Sequence, residues 1–233
     1  MELKDSVILI TGGSLGIGKE TAALLSREGA RLIVTGRNKK RLETAAEEIG
    51  AFPITADVSV PADNTRTKDI VLEKYGRLDC LINNAGIGNF SRLDEVSWED
   101  FEQVYRVNVF GAAILTALFI PQFKKQNYGN IINIGSTAGT RGYERGTVYS
   151  GSKFALRGMT QCWQAELRKF NVRVFLVNPS EVATAFGSSN RTERKAPENK
   201  LRSLEIAHAI RGILTMDNRG FVPELAVWAT NPW

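Results

Sequence analysis

The chain is expected to adopt an α/β fold, a doubly wound parallel sheet of seven strands with helices on both faces. Three observations predict it. Short apolar runs alternate with longer amphipathic segments along the whole length. Several of those runs are apolar at every position, as strands covered on both faces require. A glycine-rich turn joins the first run directly to the first helical segment. Such alternation builds an open parallel sheet through right-handed crossovers.

In order, the expected strands are residues 7–11, 31–35, 52–55, 80–83, 130–134, 172–177 and 221–227. The helices between and after them are 16–28, 39–49, 61–75, 97–125, 149–169 and 203–214. Their ends carry the right chemistry. Pro61 suits a first helical turn, and Gly29 and Gly50 stand just beyond helix ends. Ser97 is placed to cap a helix whose first turn holds Glu99 and Asp100. No linker or repeat divides the 233 residues, so one domain spanning 1–233 is expected.

Bulk properties exclude several classes. Hydrophobic content of 43% and charged content of 24% are those of an ordinary globular chain. The longest apolar stretch, 107–120, is broken by Asn108, Gly111 and Thr116, so neither a membrane span nor membrane binding is expected. The first residues lack the pattern of a secretion signal, and a cytoplasmic location is the expectation. Cys80 and Cys162 have no CxxC partner and are read as buried, reduced thiols, with no metal site. His208, the one histidine, is read as structural. The net charge of +5 concentrates at 37–41 and 191–202, without the interleaved aromatics that single-stranded nucleic acid needs.

The chemistry starts in the glycine turn, Thr11-Gly-Gly-Ser-Leu-Gly-Ile-Gly18. A strand, a glycine turn and a helix in immediate succession aim a helix amino end at a phosphate, and glycines let backbone approach it. The candidate contacts are Gly12, Ser14, Leu15, Gly16, Ile17 and Gly18.

Ligands of such sheets bind beyond the carboxyl ends of the strands. After the second strand, where dinucleotide folds selecting NAD place a carboxylate, stand Gly36, Arg37 and Asn38, followed by Lys39, Lys40 and Arg41. Cations at a helix start oppose its dipole. A 2′-phosphate held by Arg37 and neighbouring Asn38 explains them, which favours NADP(H) over NAD(H). After the third strand come Asp57 and Val58, where Asp57 either meets an adenine amino group or caps the following helix. After the fourth come Asn83, Asn84, Ala85 and Gly86, small enough for backbone to pass a ribose, or simply a loop tied to its neighbours.

Tyr149 and Lys153 are four residues apart on one helix and so share a face. A free phenol titrates near ~10. An adjacent ammonium is expected to lower that value and make Tyr149 usable as a general acid or base. Ser136, after the fifth strand, offers a hydroxyl to polarise a carbonyl oxygen.

These residues, in this order and spacing, resemble the short-chain dehydrogenase/reductases over nearly the whole chain. The match is carried by the glycine turn, Asp57, Asn83-Asn-Ala-Gly86, Asn108, Ser136, Tyr149-x-x-x-Lys153 and Asn178-Pro179…Thr184. The resemblance implies a Rossmann-type fold and an NAD(P)-dependent oxidoreductase passing hydride between nicotinamide and a carbonyl or carbinol carbon. It implies that Tyr149 exchanges the proton and Ser136 steadies the substrate oxygen. Lys153 would hold the nicotinamide ribose, and Asn108 would anchor a water in a proton relay. Pro179, Ser180, Val182 and Thr184 would lie along the nicotinamide.

Two departures stand out. Ser180 replaces the family's usual glycine, which permits backbone angles that serine resists. The carboxyl end lacks the glycine pair of many acyl-carrier-protein reductases.

Substrate choice is expected from Phe90, from 140–145 and from a lid at about 185–202. The leading expectation is an NADP-dependent reductase of a ketone, either a 3-oxoacyl thioester, free or carrier-bound, or a general carbonyl compound. An alcohol, sugar or steroid dehydrogenase of the same family is one alternative, and a non-catalytic NADP-binding regulator is another. Excess apolar residues on the fourth and fifth helices, with the family's habits, imply a homodimer or homotetramer.

Overall fold

The computed structural model describes residues 1–186 and 197–232. Seven parallel strands form one sheet: β1 (Val7–Thr11), β2 (Arg31–Gly36), β3 (Phe52–Thr55), β4 (Cys80–Asn83), β5 (Gly129–Ile134), β6 (Val172–Pro179) and β7 (Glu224–Val227). Their order is β3-β2-β1-β4-β5-β6-β7. The helices are α1 (Gly16–Arg27), α2 (Lys39–Ile49), α3 (Pro61–Tyr75), α4 (Trp98–Tyr105), α5 (Ala112–Gln126), α6 (Thr147–Leu167) and α7 (Ser203–Thr215).

Alternation along β1 shows why its run is apolar throughout. Ile8 and Ile10 face one way, packing in a core with Leu25 of α1, Leu42 of α2 and Ile206 and Ile210 of α7. Val7 and Leu9 face the other way, into a core with Val71 of α3, Leu115, Phe119 and Phe123 of α5 and Leu167 of α6. A strand sandwiched between two helical layers has no polar side. Burying each such side chain contributes about 1.5–3 kcal/mol before entropy is counted.

The expected helix ends are present. Gly50 caps α2 in the left-handed region, at φ 75°. Ser97 accepts the Asp100 amide at 3.2 Å while the Asp100 carboxylate accepts the Ser97 amide at 3.1 Å, a reciprocal box that fixes the start of α4.

Four expectations need correction. The helix expected at 97–125 is interrupted between α4 and α5 by a π-helical turn, Arg106–Gly111, with Asn108 inside it. Such turns widen a helix by one residue and gather at functional sites. The seventh strand is shorter than expected, Glu224–Val227, and Phe221 before it packs edge-on against Phe175, at 5.8 Å. Cys80 is buried as expected, but Cys162 is exposed on α6. His208 lies exposed on α7, clear of the core.

The run Trp98–Gln126 is long and apolar enough, by length and composition, to cross a membrane. Here Leu115, Phe119 and Phe123 from it fill the core instead. Of the expected lid, 187–196 lies outside the described residues. Its two stems are joined: the Ala183 amide donates to Leu201 at 3.0 Å, and Lys200 pairs with Glu181 at 2.8 Å.

Candidate active site

A cleft runs along the carboxyl ends of the strands, centred where β1 meets β4 and the order reverses. This is where open α/β sheets hold ligands. The glycine turn after β1 is tied to the loop after β4. Asn84 donates its side-chain amide to the Thr11 and Gly12 carbonyls, at 2.8 and 3.1 Å. The Thr11 hydroxyl accepts the Asn84 and Ala85 amides, both at 3.0 Å. Gly12 turns the chain at φ +68°. A Cβ on Gly18 would stand 2.5 Å from both the Gly12 oxygen and the Asn84 amide, so only glycine closes this knot. Thus Asn84 is structural in its side chain, while the backbone of Asn84, Ala85 and Gly86 lines the cleft.

At one end of the cleft, Ser14, Leu15, Gly16 and Ile17 from the turn face Arg37, Asp57 and Val58. The Arg37 guanidinium lies 3.7 Å from the Asp57 carboxylate. Asp57 does not cap α3; it folds its own loop by accepting the Ser59 amide and hydroxyl, at 2.9 and 2.7 Å. Asn38 does not line the cleft. Its side chain caps α2, accepting the Arg41 amide at 2.9 Å. Arg41 does line it, and its Nε is buried without a hydrogen-bond partner. A buried guanidinium N–H with no acceptor is costly, and such an atom marks a place for an anion. Arg41 was visible in the sequence only as one of several basic residues at a helix start.

At the other end, Ser136, Tyr149 and Lys153 come together. The Ser136 backbone amide donates to Asn178, at 3.1 Å, and its hydroxyl accepts the Ala138 amide, also at 3.1 Å. Burial pushes the Tyr149 phenol up to about 12, against the smaller downward pull of its hydrogen bond with Ser136. Burial lowers the Lys153 ammonium to about 8. The expected acidified phenol is therefore not what this protein holds by itself. Lys153 Nζ stands 5.8 Å from the Tyr149 ring centroid and donates instead to the Ile134 carbonyl at 2.8 Å. Desolvation outweighs the hydrogen bond with Ser136 and keeps the phenol protonated.

Asn108 and Gly18 lie behind the cleft wall. The Asn108 side chain accepts the Ile87 amide and donates to the Ile87 carbonyl, both at 2.9 Å, and also donates to Ser152 at 3.1 Å. It thereby fixes the loop that carries Gly86 to the helix that carries Lys153.

Pro179, Ser180, Val182 and Thr184 line the third side. Ser180 is outside the left-handed region, so its replacement of glycine strains nothing. Its amide donates to Val227 at 2.9 Å, continuing the β6–β7 ladder.

A doubly wound sheet with a glycine turn at its switch point and a Ser-Tyr-Lys cluster across from it defines a class, and comparison gives the family. Residues 6–195 match the short chain dehydrogenase family model. The chain belongs to that family. It is 35% identical over 211 residues to a 3-oxoacyl-[acyl-carrier-protein] reductase of Thermotoga maritima, covering 88% of this chain and 85% of that one. An alcohol dehydrogenase of the archaeon Thermococcus sibiricus, solved with 5-hydroxy-NADP, superposes with a TM-score of 0.91 at 31% identity, covering 97% of each chain. A 3-ketoacyl-(acyl-carrier-protein) reductase of Brucella melitensis, solved with NADH, gives 0.89 at 28%, covering 99% of this chain and 100% of that one.

Proposed function

We propose that the protein is an NADP-dependent carbonyl reductase that converts a ketone to an alcohol, with Tyr149 as the proton donor and a 3-oxoacyl thioester or a general ketone as substrate. The observation that carries this is the meeting of Ser136, Tyr149 and Lys153 at one end of a cleft whose other end is basic. At neutral pH the phenol carries its proton, the form that can give one to a carbonyl oxygen.

The residues fit a nicotinamide dinucleotide. The glycine turn would take the pyrophosphate at the amino end of α1, and the unsatisfied Arg41 Nε, with Arg37, would take a 2′-phosphate. Lys153 and the backbone of Gly86 would meet the nicotinamide ribose, and Val182 and Thr184 the nicotinamide. When bound, NADPH supplies the hydride. Ser136 would hold the carbonyl oxygen beside the phenol, and the Lys153 ammonium would stabilise the charge left on Tyr149 as its proton departs. Relatives solved with an NADP derivative and with NADH show both cofactors in similar folds. The two arginines favour NADPH here.

Phe110, Ile114 and Phe154 remain exposed on the π-turn, α5 and α6. A second copy covering them accounts for apolar area that a monomer would leave in water.

Tyr149→Phe tests the reading. Turnover of ketones with NADPH falls about 10²–10⁴-fold while NADPH binding persists. Retained turnover would remove Tyr149 from the chemistry.

A further inference from the structure

Two rings from distant parts of the chain, Phe90 and Phe186, stand against the Tyr149 phenol. Phe90 lies in the loop after β4, Tyr149 in the first turn of α6, and Phe186 in the loop after β6. The Phe90 and Tyr149 centroids are 5.5 Å apart, Tyr149 and Phe186 5.4 Å, and Phe90 and Phe186 6.4 Å. Their planes are inclined by 58°, 55° and 73°, the tilted and edge-on arrangements that ring quadrupoles prefer.

The loop is shaped to keep Phe90 there. A Cβ on Gly88 would stand 2.6 Å from the Phe90 ring and 3.1 Å from that of Phe186. The Phe90 carbonyl accepts Arg145 Nε at 2.9 Å. Arg145 holds this contact at φ +64°, a region that non-glycine residues enter at a cost. Yet Phe90 keeps 38% of its surface exposed, so the core does not consume the ring.

Charge at this end of the cleft points the same way. Among the described lining residues, Arg37, Arg41 and Asp57 belong to the opposite end. Toward Tyr149 the lining holds Ser136 and the apolar Ile87, Ile134, Val182, Ala185 and Phe186, with Lys153 turned to the Ile134 carbonyl. A carboxylate adjoining the substrate carbonyl would lose its hydration among these apolar side chains, while Lys153 is engaged with the Ile134 carbonyl and Arg145 with the Phe90 carbonyl.

We infer that Phe90 and Phe186 select the substrate, a neutral ketone or aldehyde bearing a flat apolar ring beside its carbonyl, held against the two phenyl groups with its oxygen at Tyr149. This rests on the reductase reading of the site and chooses within it.

The experiment measures kcat/KM with NADPH for acetophenone, a short 3-oxoacyl thioester and pyruvate, in wild type, Phe90→Ala and Phe186→Ala. Wild type is expected to prefer acetophenone and to reject pyruvate. Each alanine variant lowers kcat/KM for acetophenone about tenfold and changes the thioester much less. Saturation-transfer NMR on the NADPH-loaded protein reads acetophenone binding separately, and Phe90→Leu keeps bulk while removing the ring. Preference for the thioester or pyruvate, or equal losses on all three substrates, overturns the aromatic selection and leaves the reductase standing. Ring-dependent binding with no turnover of any of them overturns the reductase and leaves the aromatic subsite.

Discussion

Asn178 accepts the backbone N–H of Ser136 at 3.1 Å, and through the other end of its carboxamide donates to Glu224 at 2.8 Å. Glu224 is paired in turn with Arg157 of α6, at 3.1 Å. The serine that faces the phenol is thus positioned by β6, β7 and the helix carrying Tyr149 and Lys153. Asn178 is fully buried, so neither of its bonds is replaced by water when it is cut back.

Asn178→Ala is expected to lower kcat about tenfold and stability by about 1–3 kcal/mol, the cost of a buried group left unpaired. NADPH affinity stays within about twofold, because this network does not reach the basic end of the cleft. Steady-state kinetics, fluorescence titration with NADPH and denaturant melts read the three effects apart. An unchanged kcat would show that Ser136 needs no such support.

Replacing Arg41 or Arg37 tests the cofactor choice. Arg41→Ala should weaken NADPH binding about 10-fold or more, the worth of a charge-assisted bond to phosphate, and leave NADH binding nearly unchanged. Arg37→Asp should reverse the preference by placing a carboxylate where a ribose hydroxyl would lie. Equal losses for both cofactors in a titration would contradict a 2′-phosphate site.

Lys153 predicts a pH effect on stability. Its ammonium falls from 10.5 to about 8 on folding, by burial. Below pH ~8 both states are charged and the fold bears the full desolvation penalty. Between ~8 and ~10.5 the unfolded chain binds the extra proton, so stability rises with pH. Wild type should therefore gain on Lys153→Met across that window, by up to about 3 kcal/mol. Urea melts at pH 7 and pH 9.5 measure it. A difference that does not move with pH would mean that the amine keeps its ordinary titration.

Ile114→Glu and Phe154→Glu should convert a dimer to a monomer in analytical ultracentrifugation. Each places a charge in the middle of an apolar contact. Wild type sedimenting as a monomer would leave that exposed face without the proposed partner.

Much of this molecule is legible in its residues alone. The doubly wound sheet follows because runs such as Val7–Thr11 are apolar at every position, and only strands buried on both faces read that way. The glycine turn and the Tyr149–Lys153 spacing are local patterns, so they too are readable without coordinates. What could not be read depends on neighbours remote in sequence. Arg41 looked like any cation at a helix start until the fold buried its Nε in the cleft wall. That the Asn38 side-chain oxygen caps α2 depends on how the chain enters that helix, which its type alone does not record. The π-turn at Arg106–Gly111 has no composition that distinguishes it from the α-helix on either side.

The electrostatics divide in the same way. Spacing on one helix determined that phenol and ammonium would be neighbours. Only the tertiary structure decided which way each would shift, because desolvation depends on everything packed around a group and not on its position in the chain. The residues by themselves specified the sheet, the glycine turn and the Tyr149–Lys153 pair on one helix. The packing of loops after β4, β5 and β6 decided that the phenol's pKa is pushed up, that Asn178 holds Ser136, and that Phe90 and Phe186 stand against Tyr149. Those contacts join residues tens of positions apart, and no local pattern records them.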